Sequence, residues 1–282
     1  MTAAAARFPR TVRTLRTWST GWARFGYQTQ FYARTVVSTV DATLRYRIEL
    51  LRLIAQMGLG TGALAVVGGT TVIVAFLTVT TGALAAVIGY NQFSDIGVEA
   101  LTGFTSAYFN VRLAAPLTAG IALTATIGAG ATAQIGGMRI SEEIDALEVM
   151  GIRSIAYLAS TRLIAGIVVV IPLYCVAVLA AFASARISTT AIYGQSAGVY
   201  DHYFNTFLDP MSLIWSFLLA VSMAIVIMLV HTYYGYTAAG GPAGVGEAVG
   251  RAVRTSMVSS GVMTIFLSLA IYGQSGHFNL SG

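Results

Sequence analysis

The stretch 139–153, RISEEIDALEVMGIR, is the part of the sequence richest in ionisable side chains. Ser141 is a favourable helix N-cap, the acids after it lie where a helix dipole stabilises negative charge, and Gly151 is suited to end the helix. The pattern predicts a short helix over about 141–151. An acidic row and an adjacent apolar edge run along it: Glu142, Asp145 and Glu148 form the row, and Ile144, Leu147 and Met150 form the edge.

Two interpretations fit this short helix. Its apolar edge and carboxylates are suited to a groove lined with basic residues on a partner protein. The same helix would also be stable if it were solvated, with its acids paired to Arg139 and Arg153. The residue types alone leave both interpretations open.

The other reactive residue types exclude most catalytic chemistry. All 16 basic residues are arginine, so this chain can form neither a lysine Schiff base nor the Gly-Lys-[Ser/Thr] of a P-loop. The glycine-rich stretch 240–246 is therefore interpreted as a tight turn. Cys175 is the single cysteine, which excludes an internal disulfide, and its apolar surroundings predict a buried position. His231 is interpreted as a satisfied histidine near the inner end of a span, and Asp201-His202 has no nucleophile motif beside it. We predict no catalytic residue, no metal site and no cofactor bound by this chain.

The composition indicates a membrane protein. Hydrophobic residues make up 56% of the chain and charged residues 10%, against about 25% charged in soluble domains. Five stretches without charge are each long enough for the ~20 apolar residues that cross a bilayer. The predicted spans are centred on about 57–80, 113–136, 160–184, 212–235 and 255–274. The first stretch could instead hold a hairpin that turns at Gly68-Gly69, which would make six spans.

The arginines predict how the spans are oriented. With five spans and a cytoplasmic N-terminus, fourteen of the 16 arginines lie on the cytoplasmic side, whereas six spans would place only eleven there. We therefore predict five spans, with the C-terminus on the outer, periplasmic side. Arg112, Arg162 and Arg186 lie at the edges of spans, and no acid or arginine lies near a span centre, which disfavours ion-coupled transport.

The first 50 residues are predicted to be a cytoplasmic region with an amphipathic helix that lies in the membrane interface. At ~100° per residue, one stripe of this helix is largely aromatic and apolar, and arginines gather opposite it. The stripe comprises Trp18, Trp22, Phe25, Thr29, Tyr32, Val36 and Val40, and Arg24 and Arg34 are among the opposing arginines. The alternative is a helix that packs on the protein's own transmembrane core. Because the stripe continues into the first span, the nearest anion is lipid, and we predict no nucleic-acid partner.

Small residues recur at every fourth position of the second span. They are Gly120, Thr124, Gly128, Thr132 and Gly136. Such a ladder allows another helix to approach closely, which stabilises helix pairs in lipid. It would serve helix packing, a subunit interface or a chamber along which a lipid chain slides, and the sequence does not separate these roles.

Three motifs give the chain a family resemblance. The acidic stretch EEIDALEVMG at 142–151 resembles the signature of the MlaE/YrbE permeases, the membrane subunits of ABC-type lipid transporters associated with MCE proteins. The sequence RLAAP at 112–116 and GGPAGVGEAV at 240–249 continue the resemblance, which covers about residues 45–275. Two positions depart from the family pattern: Glu143 stands where Gln is common, and Leu113 where an acid is common. The end FNLSG and the arginine-only composition resemble the B-type YrbE subunits of actinobacterial, especially mycobacterial, Mce systems.

The resemblance implies a fold and a set of partners. It implies a five-span permease domain, and together with the helix predicted from periodicity it gives an all-α integral membrane protein in which an N-terminal interfacial helix precedes a permease domain over 51–282. The short helix between the second and third spans would be a cytoplasmic coupling helix that inserts into an ABC ATPase subunit. The residues expected to contact that ATPase are Glu142, Glu143, Asp145, Leu147 and Glu148. ATP and Mg²⁺ would be bound by the ATPase, and MCE proteins would lie on the outer side of the inner membrane.

The expected activity is import of lipids of the fatty acid, mycolic acid or sterol type. The permease would work as a dimer with a paralogous A-type YrbE subunit or with a second copy of itself. The alternative function is a scaffold that anchors MCE proteins without transporting lipid. A membrane enzyme acting on lipids is a third possibility, and it would need an outer-face nucleophile that the sequence does not show.

Overall fold

The computed structural model describes residues 25–59 and 69–273, and within those ranges the regular structure is entirely helical. The helices in chain order are α1 (residues 25–37), α2 (Thr39–Arg45), α3 (Arg47–Leu59), α4 (Thr70–Ser94), α5 (Glu99–Ile140), α6 (Glu143–Val149), α7 (Ile155–Ile192), α8 (Ala197–Phe207), α9 (Pro210–Tyr236) and α10 (Gly241–Tyr272). The two longest, α5 and α7, are continuous through wider π-helical turns.

Five of these helices, α4, α5, α7, α9 and α10, are long and apolar enough to cross a membrane, which confirms the predicted fold class and number of spans. The predicted bounds of the first span are wrong, because it lies at Thr70–Ser94 and not at 57–80. Where the structure describes it, the charge-free stretch from Arg52 to Asp95 includes the second half of α3 and all of α4. At 13 residues, the described part of α3 is shorter than the ~20 residues of a membrane span.

The five spans form a bundle around α7. This helix packs along α4 and also contacts α3, α5 and α9. The two helices approach closely at Gly82 of α4, where an added Cβ would lie 2.6 Å from the Ala181 carbonyl oxygen of α7. Leu123, Val170 and Met223 are buried in the shared core. α10 packs on α9 and on the second half of α5 and is the least buried span.

The bundle has two distinct ends. At one end, called here the α6 end, α6 joins α5 to α7 and the N-terminal helices α2 and α3 pack against α7. At the other, the α8 end, α8 lies across the beginning of α5, and the Arg186 guanidinium donates two hydrogen bonds of 2.8 Å to the Asp201 carboxylate. Hydrogen bonding from Arg186 holds the pKa of Asp201 below its usual value.

Cys175 is exposed, so its predicted burial is wrong. It lies on the outward side of α7 together with Ile171 and Leu179, which is 68% exposed. In a membrane span, an apolar sequence does not distinguish a residue that faces the core from one that faces lipid. The apolar run around Cys175 therefore predicted the span correctly and the burial of this residue wrongly.

Asp209 caps the N-terminus of α9, and this cap allows a test by substitution. Its carboxylate accepts hydrogen bonds from the amides of Met211 (3.1 Å) and Ser212 (3.0 Å), and Pro210 occupies the first helical position. We expect Asp209→Ala to lower the free energy of unfolding at neutral pH by about 1 kcal/mol, whereas Asp209→Asn, which preserves an N-cap oxygen, should cost less. Thermal unfolding of the detergent-solubilised variants measures both differences.

The contribution of this cap should depend on pH. Partial burial raises the pKa of Asp209, but hydrogen bonds from Met211 and Ser212 outweigh it and leave the pKa below the usual value. A carboxyl group with a lowered folded-state pKa stabilises the fold above its unfolded-state pKa and loses that effect as the pH falls through the folded-state value. The deficit of Asp209→Ala should therefore shrink on acidification. A deficit that stays constant down to strongly acidic pH would contradict the role of the ionised cap.

Candidate functional site: the short helix at the α6 end

α6 is anchored to the bundle by its apolar side. Ile144 is fully buried and Leu147 is partly buried, and both pack with Ile135 of α5, Leu158 of α7 and Tyr236 of α9. Leu147, predicted as a contact for a partner, thus faces the protein's own core. The helix is held in a fixed position relative to three of the spans.

The ends of α6 explain why the helix is so short. Ser141 was predicted as the N-cap, but its hydroxyl donates to the Gly137 carbonyl and to the Glu143 carboxylate, and the cap position belongs to Glu142. Glu142 has a φ of 61°, the one left-handed non-glycine residue in the described ranges. Gly151 ends the helix as predicted: its φ is 76°, and its amide and that of the next residue return to the last turn.

The three acids of α6 and Glu142 at its N-cap are all exposed, and the three within the helix also make contacts within the chain. Glu143 accepts the Ser141 hydrogen bond, and the Asp145 carboxylate lies 2.7 Å from the Arg139 guanidinium. Glu148 accepts hydrogen bonds from the Ser154 hydroxyl (2.5 Å) and the Tyr236 hydroxyl (3.1 Å). Both interpretations of the acidic row therefore retain support, because Asp145 is paired within the chain and still 59% exposed.

The exposed tip of α6 is apolar, which the sequence analysis missed. Val149 is 89% exposed and Met150 is 66% exposed. The predicted apolar edge included Met150 with Ile144 and Leu147, but the helix ends at Val149, so Met150 leaves the edge. At ~100° per residue, Val149 lies roughly opposite Ile144 and Leu147 on the helix. Helical periodicity was therefore the sequence signal that could have identified Val149 as exposed.

Hydrogen bonds connect α6 to the neighbouring elements. Ser154, just before α7, lies 2.9 Å from the Tyr236 hydroxyl at the end of α9, and both bond to Glu148. Arg153, predicted as a possible partner of the acidic row, instead bonds to Asp41 of α2. A displacement of α6 would therefore reach α7 and α9 through direct contacts, and α2 through Arg153 of the loop that follows α6.

The N-terminal helices pack on the bundle and also expose an apolar face. Phe31 and Thr35 of α1 are buried, with Phe31 against Tyr233 and Tyr236, and the Ser160 hydroxyl bonds to the Thr35 carbonyl at 2.7 Å. The predicted stripe lies beside this contact and shares it at Tyr32, whose ring packs against Tyr233. Its members Phe25, Val36 and Val40 are 63%, 48% and 61% exposed. The predicted interface residue Arg34 is also exposed, whereas Trp18, Trp22 and Arg24 lie outside the described residues.

The small-residue ladder of α5 faces the interior of the chain. A Cβ added at Gly120 would meet Met223 of α9, one at Gly128 would lie 2.7 Å from the His231 ring, and one at Gly136 would lie 2.9 Å from Val245 of α10. Thr124 is buried as well, and the Thr132 hydroxyl lies 2.7 Å from Nδ1 of His231. Four of the five residues, Thr124 excepted, thus meet α9 or α10 of the same chain.

His231 is satisfied as predicted, but it is buried among three helices and has no exposed surface. Besides Thr132 of α5, it contacts α10, where Nε2 lies 3.1 Å from the Ser256 hydroxyl. Both ring nitrogens thus have partners, and the side chain joins α5, α9 and α10. No group of three or more potential metal ligands occurs in the described part of the chain.

Comparison with known proteins identifies the family. The family model described as Permease MlaE matches residues 60–270. A probable ABC transporter permease protein of Rickettsia bellii is 28% identical over 208 residues, which are 71% of this chain and 75% of the relative. The protein TRIGALACTOSYLDIACYLGLYCEROL 1, chloroplastic, of Arabidopsis thaliana is 26% identical over 66% of this chain and 53% of its own length. A probable ABC transporter permease protein of Synechocystis is 23% identical over 66% of this chain and 70% of the relative. The match covers most of the chain, including α4 to α9, and the chain therefore belongs to the MlaE permease family.

Proposed function

We propose that this chain is the membrane-spanning permease subunit of an ATP-driven lipid transporter and that α6 is the coupling helix that docks into a partner ATPase. The observation that carries the proposal is the exposed tip of α6 in a member of this family. Val149 and Met150 offer apolar anchors beside exposed carboxylates, while buried Ile144 fixes the helix to the bundle. The chain contains no lysine, so it lacks a P-loop of its own and depends on the partner for ATP and Mg²⁺.

The proposed coupling is mechanical. ATP binding and hydrolysis on the partner would displace α6, and the contacts of Ile144, Leu147 and Glu148 would pass that displacement to α5, α7 and α9. The permease would then shift between a state that holds lipid and one that releases it. Rigid anchoring of a short helix suits this task better than a flexible loop would.

The proposed setting is the inner membrane with the α6 end in the cytoplasm. This orientation is supported by Arg139, Arg153, Arg251 and Arg254, which lie at or near that end. It places the N-terminus in the cytoplasm and the C-terminus on the periplasmic side. The exposed apolar residues of α1 to α3 would then lie in the cytoplasmic membrane interface.

The finer assignment rests on the resemblance of the three motifs and of the C-terminal sequence. On that basis the chain is a B-type YrbE subunit of an actinobacterial Mce system. Its partners are a paralogous A-type subunit or a second copy, and MCE proteins on the outer side. The cargo class proposed is fatty acid, mycolic acid or sterol lipid, moved inward.

The test is gentle purification of the tagged full-length protein from its native membrane, followed by mass spectrometry of the proteins that accompany it. Recovery of a P-loop ATPase, a second permease and MCE proteins is the expected result. Recovery of MCE proteins without an ATPase, even after crosslinking, would contradict the transporter proposal and favour a scaffold. Uptake of labelled lipid by cells with and without the chain tests cargo and direction.

A further inference from the structure

Arg162 is a buried arginine with incomplete hydrogen bonding. It is 5% exposed and lies seven residues into α7, which is about 10 Å along the helix axis. One terminal nitrogen donates to the Leu158 carbonyl at 3.1 Å and the other to Oε1 of Gln134 at 3.4 Å. The Nε–H is buried and has no hydrogen-bond partner. A buried guanidinium normally pairs with an acid, yet no carboxylate lies within 4 Å of it in the described residues.

Arg162 lines an open cleft between α3, α5 and α7 with a volume of about 400 Å³. Most of the polar groups around it are hydrogen-bond donors. Gln134 uses its amide oxygen on Arg162, which leaves its NH₂ group to donate, and Arg52 and Gln56 of α3 line the cleft as well. A cleft with two guanidinium groups and two amides favours an oxyanion as its ligand.

Two acidic side chains limit the charge of that ligand. Glu49 of α3 and Glu143 of α6 also line the cleft, and Arg52 lies 3.8 Å from the Glu49 carboxylate. The two carboxylates offset the formal charge of the two guanidinium groups and repel a dianion more strongly than a monoanion. Among oxyanions, a phosphodiester or a carboxylate, each with one negative charge, is therefore repelled less than a phosphate dianion.

The surroundings of the cleft fit an amphiphile. On α3, Ile48 and Leu51 are 87% and 67% exposed, so this helix presents an apolar face next to its polar residues. On α5, Ala133 and Gly137 line the cleft, and no atom lies within 4 Å of a Cβ added at Gly137. Acyl chains can thus lie against apolar and small residues while the headgroup reaches Arg162.

We propose that this cleft at the α6 end binds the monoanionic headgroup of a membrane lipid, with Arg162 as the principal ligand. The site is a headgroup site of the leaflet at the α6 end, and it requires neither the ATPase nor transport. Bound headgroup oxygens would accept hydrogen bonds from the second N–H of each terminal nitrogen of Arg162 and fix α3 against α5 and α7.

The first experiment measures lipid retention by the full-length protein in detergent by native mass spectrometry. The probes are phosphatidylglycerol, phosphatidylcholine and diacylglycerol with identical acyl chains. We expect wild type to retain phosphatidylglycerol preferentially, and Arg162→Gln to bind it at least about tenfold more weakly, which corresponds to 1.4 kcal/mol. Arg254→Gln is the matched control: Arg254 is exposed at the same end but does not line the cleft, so retention should be unchanged.

A second variant guards against misfolding of Arg162→Gln. Gln134 is exposed, so Gln134→Glu should fold, and it places a permanent carboxylate beside Arg162. We expect Gln134→Glu to bind phosphatidylglycerol as weakly as Arg162→Gln does. Equal retention of phosphatidylglycerol by wild type and folded Gln134→Glu, or equal retention of all three lipids by wild type, would overturn the proposal.

Millimolar inorganic phosphate separates the two sources of an oxyanion. If phosphate fails to displace phosphatidylglycerol, the lipid headgroup is the ligand, as proposed. If phosphate alone raises the melting temperature of wild type but not of Gln134→Glu and displaces the lipid, the cleft is a site for a soluble oxyanion, and the lipid assignment is wrong.

Discussion

Val149→Asp is expected to abolish recovery of the partner ATPase with the purified protein while leaving the permease folded in the membrane. Val149 is 89% exposed at the tip of α6, so the fold itself tolerates a polar residue there. In a docked complex, however, the new carboxylate would be buried against a surface suited to an apolar anchor. An unpaired charge in an interface costs several kcal/mol, so binding should weaken by at least about 100-fold. The ratio of ATPase to permease in the purified material measures this, and lipid uptake should fall to background with it.

Val149→Ile is the matched control, because it keeps the apolar anchor and should leave ATPase recovery and uptake near wild type. Charge reversal at Asp145 is a less specific test, since it would also break the 2.7 Å pair with Arg139 within the chain. If Val149→Asp preparations contained as much ATPase per permease as wild type, the docking surface would lie elsewhere and the role assigned to α6 would be wrong.

The number of spans was predictable because it depends on a property that the sequence displays directly. A bilayer excludes charge from ~20-residue stretches, so the gaps between charged residues locate the spans without knowledge of packing. The method placed the first span wrongly because the absence of charge is a necessary and not a sufficient condition for a span. The end of α3 is apolar and uncharged as well, and only the structure shows that α3 and α4 are separate elements.

The faces of the N-terminal helices were only partly predictable. Periodicity identifies which residues share a stripe, but it does not say whether that stripe meets lipid or protein. Phe31 and Thr35, which contact the bundle, lie beside the predicted stripe, while Phe25 and Val40 within it remain exposed. Both surfaces of the helix are apolar, so the protein-facing one becomes apparent only when α9 and its tyrosines are in place.

The residue types in α6 predicted a short acidic helix, but they did not predict which side chains lie on each of its faces. A seven-residue helix has two turns, and a shift of one residue at either end changes which side chains belong to its faces. Met150 left the apolar edge for this reason, and Val149 appeared at the tip. The sequence therefore indicated the proposed docking element through its acids, whereas the proposed apolar anchors required the geometry.

The burial and the partners of polar groups within the bundle were not predictable. Arg162 was placed at the edge of a span and His231 at the membrane interface, yet both are buried and bonded to residues far away in sequence. Their partners come from other helices, so the pairing depends on helix rotation. A single sequence carries no signal for that rotation in lipid, where both sides of a helix are apolar.

The contact between α4 and α7 gives the second large expected effect, because Gly82 leaves no room for a side chain. A Cβ there would lie 2.6 Å from the Ala181 carbonyl oxygen and 2.9 Å from its Cα, and these are backbone atoms that cannot rotate away. We expect Gly82→Leu to separate the two helices and to destabilise the protein by about 3 kcal/mol or more, since overpacking against rigid backbone is not relieved by small shifts. The yield of monodisperse protein and its melting temperature in detergent measure the effect.

The same substitution at Gly130 of α5 is the control for this prediction. No atom lies within 4 Å of a Cβ at Gly130, so Gly130→Leu should fold with a melting temperature near wild type or higher, because leucine favours helix more than glycine does. If the spans tolerated bulky residues poorly in general, both variants would have lowered melting temperatures. The close approach of α4 to α7 instead predicts a lowered melting temperature in Gly82→Leu alone. This contact lies toward the opposite end of α7 from α6, so the substitution should leave the surroundings of α6 intact. Lipid uptake by any folded Gly82→Leu protein would therefore show whether transport requires α4 to remain packed against α7.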